Sequence, residues 1–428
     1  MAAADPTLEA LHEQIRAYCR TRHRFEFDAA NPLVRLHEPT FSAQEIIAAI
    51  DVLLSTRVTM GPVVREFEES FARMHAAARG VSCNSGSSAN LLAVAALAND
   101  ATPDGLRPGD EVIVPALAWS TSVWPLIQHG LVPVIVDVDP RTLNIDPTEV
   151  ERAIGPRTRG VMPVHVYGNP CELGALQQIC ERHGLQMIED CCEALGATYA
   201  GKPVGTFGRI GTYSFYFSHH VTTLEGGICV TGEVALAETM RILRAHGWIR
   251  ELEAPQRHID ANPEIDPRFL FVDLGYNLRL TELQGAIGMV QLPKLAGFVE
   301  GRRRNAKAWQ ADLQRWKEVL DVQQETANAR SSWFGLPLVV RDGAPFTRQD
   351  IRTFLDRARI ETRPIIAGNI ALQPGLRRHP HRVAGDLAHS TRVMHRGFSI
   401  GNHQAVNEAA RQYVSAQIAE FLAQHGIG

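Results

Sequence analysis

The spacing of apolar positions changes character along this chain, and each change marks a segment. Over residues 6–23 apolar side chains recur at helical spacing behind Pro6, which predicts an amphipathic leading helix. Ser42-Ala43-Gln44-Glu45 has the form of a capping box ahead of Ile46 to Leu54, and Thr59-Met60-Gly61-Pro62 leads into a second helix through Glu68. From Gly80 short β-rich runs alternate with helical ones. Strands are expected at 80–83, 111–114, 132–138, 160–166, 186–189, 211–217 and 228–231, with helices at 87–97, from Thr121, and near 173–183. That alternation predicts an α/β fold, a mostly parallel sheet covered on both faces.

A helix over Thr281 to Leu292 ends at Pro293, and the charged run Glu300-Gly301-Arg302-Arg303-Arg304-Asn305 starts what reads as a long exposed helix. Beyond it, strands at 333–340 and 360–366 and helices at 348–357 and 404–424 suit a smaller α+β unit. The expected division is an N-terminal helical extension over 1–40, a large domain over 41–292 and a small C-terminal domain over 293–428. A chain of 428 residues is long enough for both domains to bury a core of their own.

Charge narrows the list of partners. With 43 basic and 47 acidic residues the net charge is -4, and no basic run is of the kind that binds nucleic acid, so a small molecule is the expected partner. The longest apolar stretches are strand-sized. The N-terminus has no basic flank followed by an apolar core, so neither a membrane span nor a secretory signal is expected, and the protein reads as cytoplasmic. Seven scattered cysteines suggest buried thiols and no disulfide framework. Cys191 and Cys192 are adjacent, and neighbours on a strand point to opposite faces, so no metal is expected there.

Candidate chemistry collects at strand ends, where α/β folds bind ligands. Ser85-Gly86-Ser87-Ser88 lies at a strand-to-helix join. Gly86 would let a phosphate approach the backbone and Ser87 would add a hydroxyl, although the same residues also describe an ordinary helix cap. Trp119 follows a strand and is either a flat face for an aromatic ligand or a core anchor. Asp190 ends a buried strand, with Glu193 three residues on. The loop from Ser214 to Gly227 carries Ser214, Tyr216 and His219 and closes on Glu225-Gly226-Gly227.

These residues in this order resemble the DegT/DnrJ/StrS sugar aminotransferases, of fold type I of the pyridoxal-phosphate-dependent transferases. In that family a lysine five residues after the serine forms a Schiff base with the cofactor; here the position is His219. Histidine cannot form that bond but moves protons near neutral pH. The substitution resembles the nucleotide-sugar 3-dehydratase branch, which removes the C3 hydroxyl of a 4-keto-6-deoxyhexose. The resemblance implies Gly86, Ser87 and Ser214 at the cofactor phosphate, Trp119 stacked on the ring and Asp190 at the pyridine nitrogen. It further implies His219 as base, with Tyr216 and Glu193 beside it.

The stretch Asp273-Leu274-Gly275-Tyr276-Asn277 resembles the family motif whose asparagine reaches the neighbouring subunit's phosphate, which implies a homodimer with shared sites. Thr362-Arg363-Pro364-Ile365-Ile366-Ala367-Gly368-Asn369, continuing to Gln373-Pro374, resembles a segment of the colitose- and ascarylose-type dehydratases. It suggests Arg363 or Asn369 as a substrate contact. The ascarylose type holds an iron-sulfur cluster on four cysteines, but this chain has no cysteine after Cys229, so no cluster is expected.

The implied cofactor is pyridoxamine or pyridoxal 5′-phosphate held without a covalent bond. The implied substrates are a nucleotide-linked 4-keto-6-deoxy sugar and an amino donor such as glutamate. The segment His246 to Glu253 looks more like ordinary aminotransferases, so amine transfer stays open as an alternative. So does a non-catalytic cofactor- or sugar-binding relative that has lost the lysine.

Overall fold

A computed structural model describes residues 5–428; the first four residues of the N-terminal extension lie outside it. Fifteen strands occur among the described residues. The first nine are β1 (Arg79–Cys83), β2 (Glu111–Pro115), β3 (Val132–Val136), β4 (Thr158–Val161), β5 (Gln186–Asp190), β6 (Thr198–Tyr199), β7 (Lys202–Pro203), β8 (Ile210–Ser214) and β9 (Gly227–Thr231). They are followed by β10 (Leu320–Val322), β11 (Ala329–Arg330), β12 (Gly335–Val340), β13 (Thr362–Arg363), β14 (Arg382–Val383) and β15 (Gly397–Gly401).

Eight of these strands form one sheet in the order β1-β9-β8-β5-β4-β2-β3-β14. Every neighbouring pair is parallel except the two that involve β9. Apolar side chains bury both faces, with Phe67, Phe71, Tyr213 and Phe215 in the core on one side and Leu92, Leu97, Leu126 and Met240 in the other. A second sheet, β10-β12-β15-β13, packs against the helices Leu295–Leu313 and Glu408–Gln424 around Trp309, Leu338 and Phe398. β11, β6 and β7 make a short ribbon.

The capping box at Ser42 is formed, with Ser42 accepting from Gln44 N and Glu45 returning to the Ser42 amide. Several expectations need correction. The helix Leu295–Leu313 is not exposed all round, because Leu295, Val299, Arg302, Ala306, Trp309 and Leu313 form an inward stripe at helical spacing. The strand expected over 360–366 shrinks to β13, since Pro364 lacks an N–H and Ile366 takes a positive φ of 45°. The last helix begins at Glu408, capped by Asn407, and not at Gln404.

β14 belongs to the large sheet although it lies far beyond Pro293. Its residues Arg382 and Val383 pair with Val134 and Ile135 at the open edge of β3. β15, which is buried between β12 and β13, had no expectation. It reads Gly-Phe-Ser-Ile-Gly, and a Cβ on its terminal glycines would meet Val393 O at 2.5 Å and Arg35 O at 2.1 Å. Close backbone approach and not side-chain patterning selects those residues.

Candidate active site

The carboxyl ends of β5 and β8 and the start of the helix Gly86–Leu97 meet at one place. Ser85 caps that helix, its Oγ accepting from Ser88 N at 3.0 Å, and the amides of Gly86 and Ser87, at the helix start, have no intrahelical acceptor. A Cβ on Gly86 would fall 2.4 Å from Ser214 Cβ and 3.1 Å from Cys192 Sγ, so only glycine allows β8 to end against the helix N-terminus. The result is a small cradle with a hydroxyl, from Ser214, beside the positive end of a helix. Ser87 is exposed at its rim and donates to Thr121 Oγ1 at 3.1 Å. Trp119, 53% exposed, stands just before Ser120 at the same mouth.

Asp190 is buried beneath this cradle. Its Oδ2 accepts from Asn90 Nδ2 at 2.8 Å and Ser122 Oγ at 2.7 Å, and its Oδ1 from Cys192 N at 3.1 Å. Thr212 Oγ1 in turn donates to Asn90 Oδ1 at 2.6 Å. Three donors from three segments hold the carboxylate in place, which fits it to pair with a protonated ring nitrogen. Asn90, Ser122 and Thr212 went unnoticed in the sequence because each is an unremarkable residue one helical turn or one strand step from a noticed one.

The loop after β8 turns tightly: His219 N donates to Tyr216 O at 2.9 Å and Tyr216 N to Ser214 Oγ at 3.3 Å. The His219 ring lies 5.1 Å from Phe334 and 6.0 Å from Tyr216, both measured between centroids. Its Nδ1 is enclosed without a partner, so Nε2 is the nitrogen that can reach a ligand. Loss of solvent, then the positive charges of Arg363 and Arg302, push this imidazole down to about 3. The ring is therefore neutral across the physiological range. Its surface is only partly covered, with the rings of Phe334 and Tyr216 packed beside it.

Glu193 faces the same space. Burial raises its carboxyl to about 6 against the opposing pull of Arg363, while its Oε2 accepts from Tyr167 N at 2.9 Å. Tyr167, also unforeseen, sits in a left-handed conformation (φ 56°) and shares a 2.7 Å hydrogen bond with Ser399. Arg363 pairs with Ser399 across β13 and β15; burial lowers its pKa, but the Tyr167 phenol and the Glu193 carboxyl together leave it raised. His219, Glu193 and Arg363 thus form one cluster between the two sheets.

Two residues stand apart. Asn369 is 2% exposed and caps a short helical turn, with Oδ1 accepting from Ala371 N and Nδ2 donating to Thr391 Oγ1, both at 3.0 Å. Its backbone bridges Leu117, so it braces the segment that carries Trp119, and of the pair Arg363 and Asn369 only Arg363 keeps a side chain at the cluster. Asn277 is exposed, its Oδ1 accepting from Arg279 Nε at 3.2 Å, while the next residue, Leu278, accepts from Asn84 N at 2.8 Å.

His165, Glu189 and Cys191 come close enough together to suggest a metal site. Their donor atoms are already engaged. Glu189 accepts backbone amides from Gly205, Phe207 and Gly208, while His165 Nδ1 accepts from Cys171 N and its Nε2 faces Glu189 at 3.3 Å. The group is a buried brace for the loop before β8, and no lone pair on His165 remains for an ion.

Over 374 residues the chain is 40% identical to a GDP-4-keto-6-deoxy-D-mannose 3-dehydratase of Yersinia pseudotuberculosis, spanning 86% of this chain and 94% of that one. Over 423 residues it is 35% identical to a dTDP-4-dehydro-2,6-dideoxy-D-glucose 3-dehydratase of Saccharopolyspora spinosa, spanning 96% and 91%. A crystal structure of GDP-4-keto-6-deoxymannose-3-dehydratase with a trapped PLP-glutamate geminal diamine superimposes with a TM-score of 0.81 at 35% identity, covering 89% of this chain and 99% of that one. The fold is that of the PLP-dependent aminotransferases. Residues 39–419 match the profile of the DegT/DnrJ/EryC1/StrS aminotransferases, and the chain belongs to that family.

Proposed function

We propose that this protein is a pyridoxamine-phosphate-dependent 3-dehydratase acting on a nucleotide-linked 4-keto-6-deoxyhexose. The observation that carries the reading is a histidine, His219, in place of the family's lysine, on the loop that leaves a cradle suited to phosphate above a fixed carboxylate. That set fits the cofactor. The helix start at Gly86 and Ser87, with Ser214, would hold its phosphate; Asp190 would take the pyridine nitrogen and Trp119 the ring face.

When bound, the cofactor supplies an amine that condenses with the sugar's C4 carbonyl and a ring that accepts the electron pair freed there. The protein's own part is proton transfer and orientation. His219 Nε2 would take up a proton at the mouth of the cradle, and the imidazolium so formed would give it to the hydroxyl leaving C3, which departs as water. Tyr216 stands at the same loop to orient the sugar. Glu193, titrating near 6, can hold a proton beside the leaving group. Arg363 faces the cleft as the cation for an anionic substrate.

Glutamate is the proposed donor that restores the amine form, in keeping with the glutamate adduct of the related structure. A homodimer is proposed in which Asn277 presents its amide to the partner's phosphate, with Arg279 orienting it. No helix among the described residues is long and apolar enough to cross a membrane. The proposed location is the cytoplasm, where nucleotide sugars and glutamate are both at hand.

The test is product analysis by mass spectrometry after incubating GDP- and dTDP-linked 4-keto-6-deoxy sugars with protein, pyridoxamine phosphate and glutamate. A product lacking the C3 oxygen and carrying no new nitrogen is expected. A sugar product that retains the C3 hydroxyl and gains an amine would make the protein an aminotransferase instead.

A further inference from the structure

Behind His219 lies a buried cation without a carboxylate. Arg302 stands on the inward stripe of the helix Leu295–Leu313 and is 2% exposed. Its Nη1 donates to two backbone carbonyls, Phe334 O at 2.8 Å and Asn402 O, and its Nε is enclosed with no acceptor. Arg244, equally buried, is bonded to both Glu68 and Glu251. An unpaired buried guanidinium is costly, and its field is little screened by solvent. Burial draws Arg302 down to about 9, which still leaves it charged at neutral pH.

Histidines surround it. The ring of Phe334, whose carbonyl Arg302 holds, packs on His219 at 5.1 Å and His220 at 5.9 Å. His220 Nε2 is bonded to Ser332 O at 3.1 Å, and His403 follows Asn402. The Nδ1 atoms of His219, His220 and His403 are all enclosed and unpartnered, so none has an acceptor that would favour a second proton. On the cleft side the charged and titratable neighbours are Arg363, Glu193 and Tyr167. On the far side they are Arg303, His37, Arg35, Glu38 and Glu361, with Glu38 paired to Arg35 and Glu361 bonded to Leu36 N.

Arg363 is partly open to the cleft, where any bound phosphate or diphosphate would offset its charge. Arg302 is walled off from such anions. We propose that Arg302 is a positioning residue whose uncompensated charge keeps the His219–His220 pair deprotonated when an anion fills the cleft, so that His219 meets the substrate as a base. The inference rests on the reading of His219 as the base, but its direct test does not, because the test reads the ring's own protonation.

Exchange of the imidazole C2 hydrogen for deuterium, followed by peptide mass spectrometry across pH, gives the midpoint of each histidine in the full chain without added cofactor. In the parent, His219 should titrate far below the ordinary value. Arg302→Met should raise the His219 and His220 midpoints by about one pH unit or more, and Arg302→Lys should keep them low. Arg302→Gln, which removes the charge but keeps a polar group for the backbone carbonyls, should raise them as well and keeps the idea testable should Arg302→Met not fold; Arg363→Met, which leaves both burial and Arg302 in place, should keep His219 below 6.5. In the loaded enzyme, the acid limb of kcat/KM should move up with the midpoint in Arg302→Met, where a merely structural loss would lower the whole profile. A midpoint that moves while the rate profile does not would leave the role of Arg302 standing and remove His219 as base. A folded Arg302→Met with the parent's His219 midpoint, an Arg302→Lys that shifts as far as Arg302→Met, or an Arg363→Met that restores the ordinary midpoint would each overturn the proposal.

Discussion

Gly86→Ala tests the cradle directly. The added Cβ would sit 2.4 Å from Ser214 Cβ and 2.8 Å from Ser214 Oγ, whereas two carbons in contact rest about 3.5–4.0 Å apart. One side must yield by about 1 Å. The helix cannot retreat easily, since Ala89, Leu92, Ala93, Val94, Ala96 and Leu97 are all fully buried, and β8 is held between β5 and β9. Overpacking of this kind costs about 1–3 kcal/mol, and the strain falls on the hydroxyl and amides that would hold the phosphate. If it is expressed in binding, cofactor affinity falls about 5- to 100-fold at about 1.4 kcal/mol per tenfold. Fluorescence titration with pyridoxamine phosphate measures this, with urea unfolding to separate binding from stability. Gly232→Ala is the control, because a Cβ there meets nothing within 4 Å. A Gly86→Ala protein that binds cofactor as tightly as Gly232→Ala would refute the placement of the phosphate.

His219→Asn should bind cofactor nearly as well as the parent but lose roughly 10²-fold or more in dehydration rate, as measured by product formation. His219→Lys should instead give a borohydride-reducible adduct mapping to the Ser214–Gly227 segment, and its absence would count against the positional match. Burial pushes the His75 ring down to about 4. The unfolded chain therefore takes up that proton first, near 6.5. The stability contributed by neutral His75 is complete above pH 6.5 and is lost as pH falls toward 4, by up to about 3 kcal/mol. Urea unfolding at pH 7.5 and pH 5 should show a smaller drop for His75→Gln than for the parent, and equal drops would contradict the burial argument. Gly297→Ala, exposed in a helix with open space around the new Cβ, should stabilise the protein by about 0.5–1 kcal/mol, seen as a higher urea midpoint at unchanged slope.

By itself the sequence determined the parts whose signals are local. Alternating β-rich and helical runs specified the parallel core of the large sheet, and capping residues specified where helices start, as at Ser42. The loop that carries His219 and the glycine at 86 were also legible, because chain order places them at strand ends, while the histidine in the lysine's place was legible only through the family resemblance.

Other features needed the folded chain, since they depend on what lies beside a residue and not on what precedes it. β15 was invisible because its alternation is only Phe398-Ser399-Ile400, cut short at both ends by Gly397 and Gly401, where the backbone is approached too closely for a Cβ. β14 joins the large sheet across some 250 residues of chain, a pairing that a two-residue strand cannot announce. Asn90, Ser122 and Thr212 acquire a purpose only where they converge on Asp190. Arg302 reads as one charge in a run of three that seemed to face water. Helical phase turns it inward against Phe334 and Asn402, where burial without a counter-ion gives an ordinary surface-type residue an unscreened field at His219.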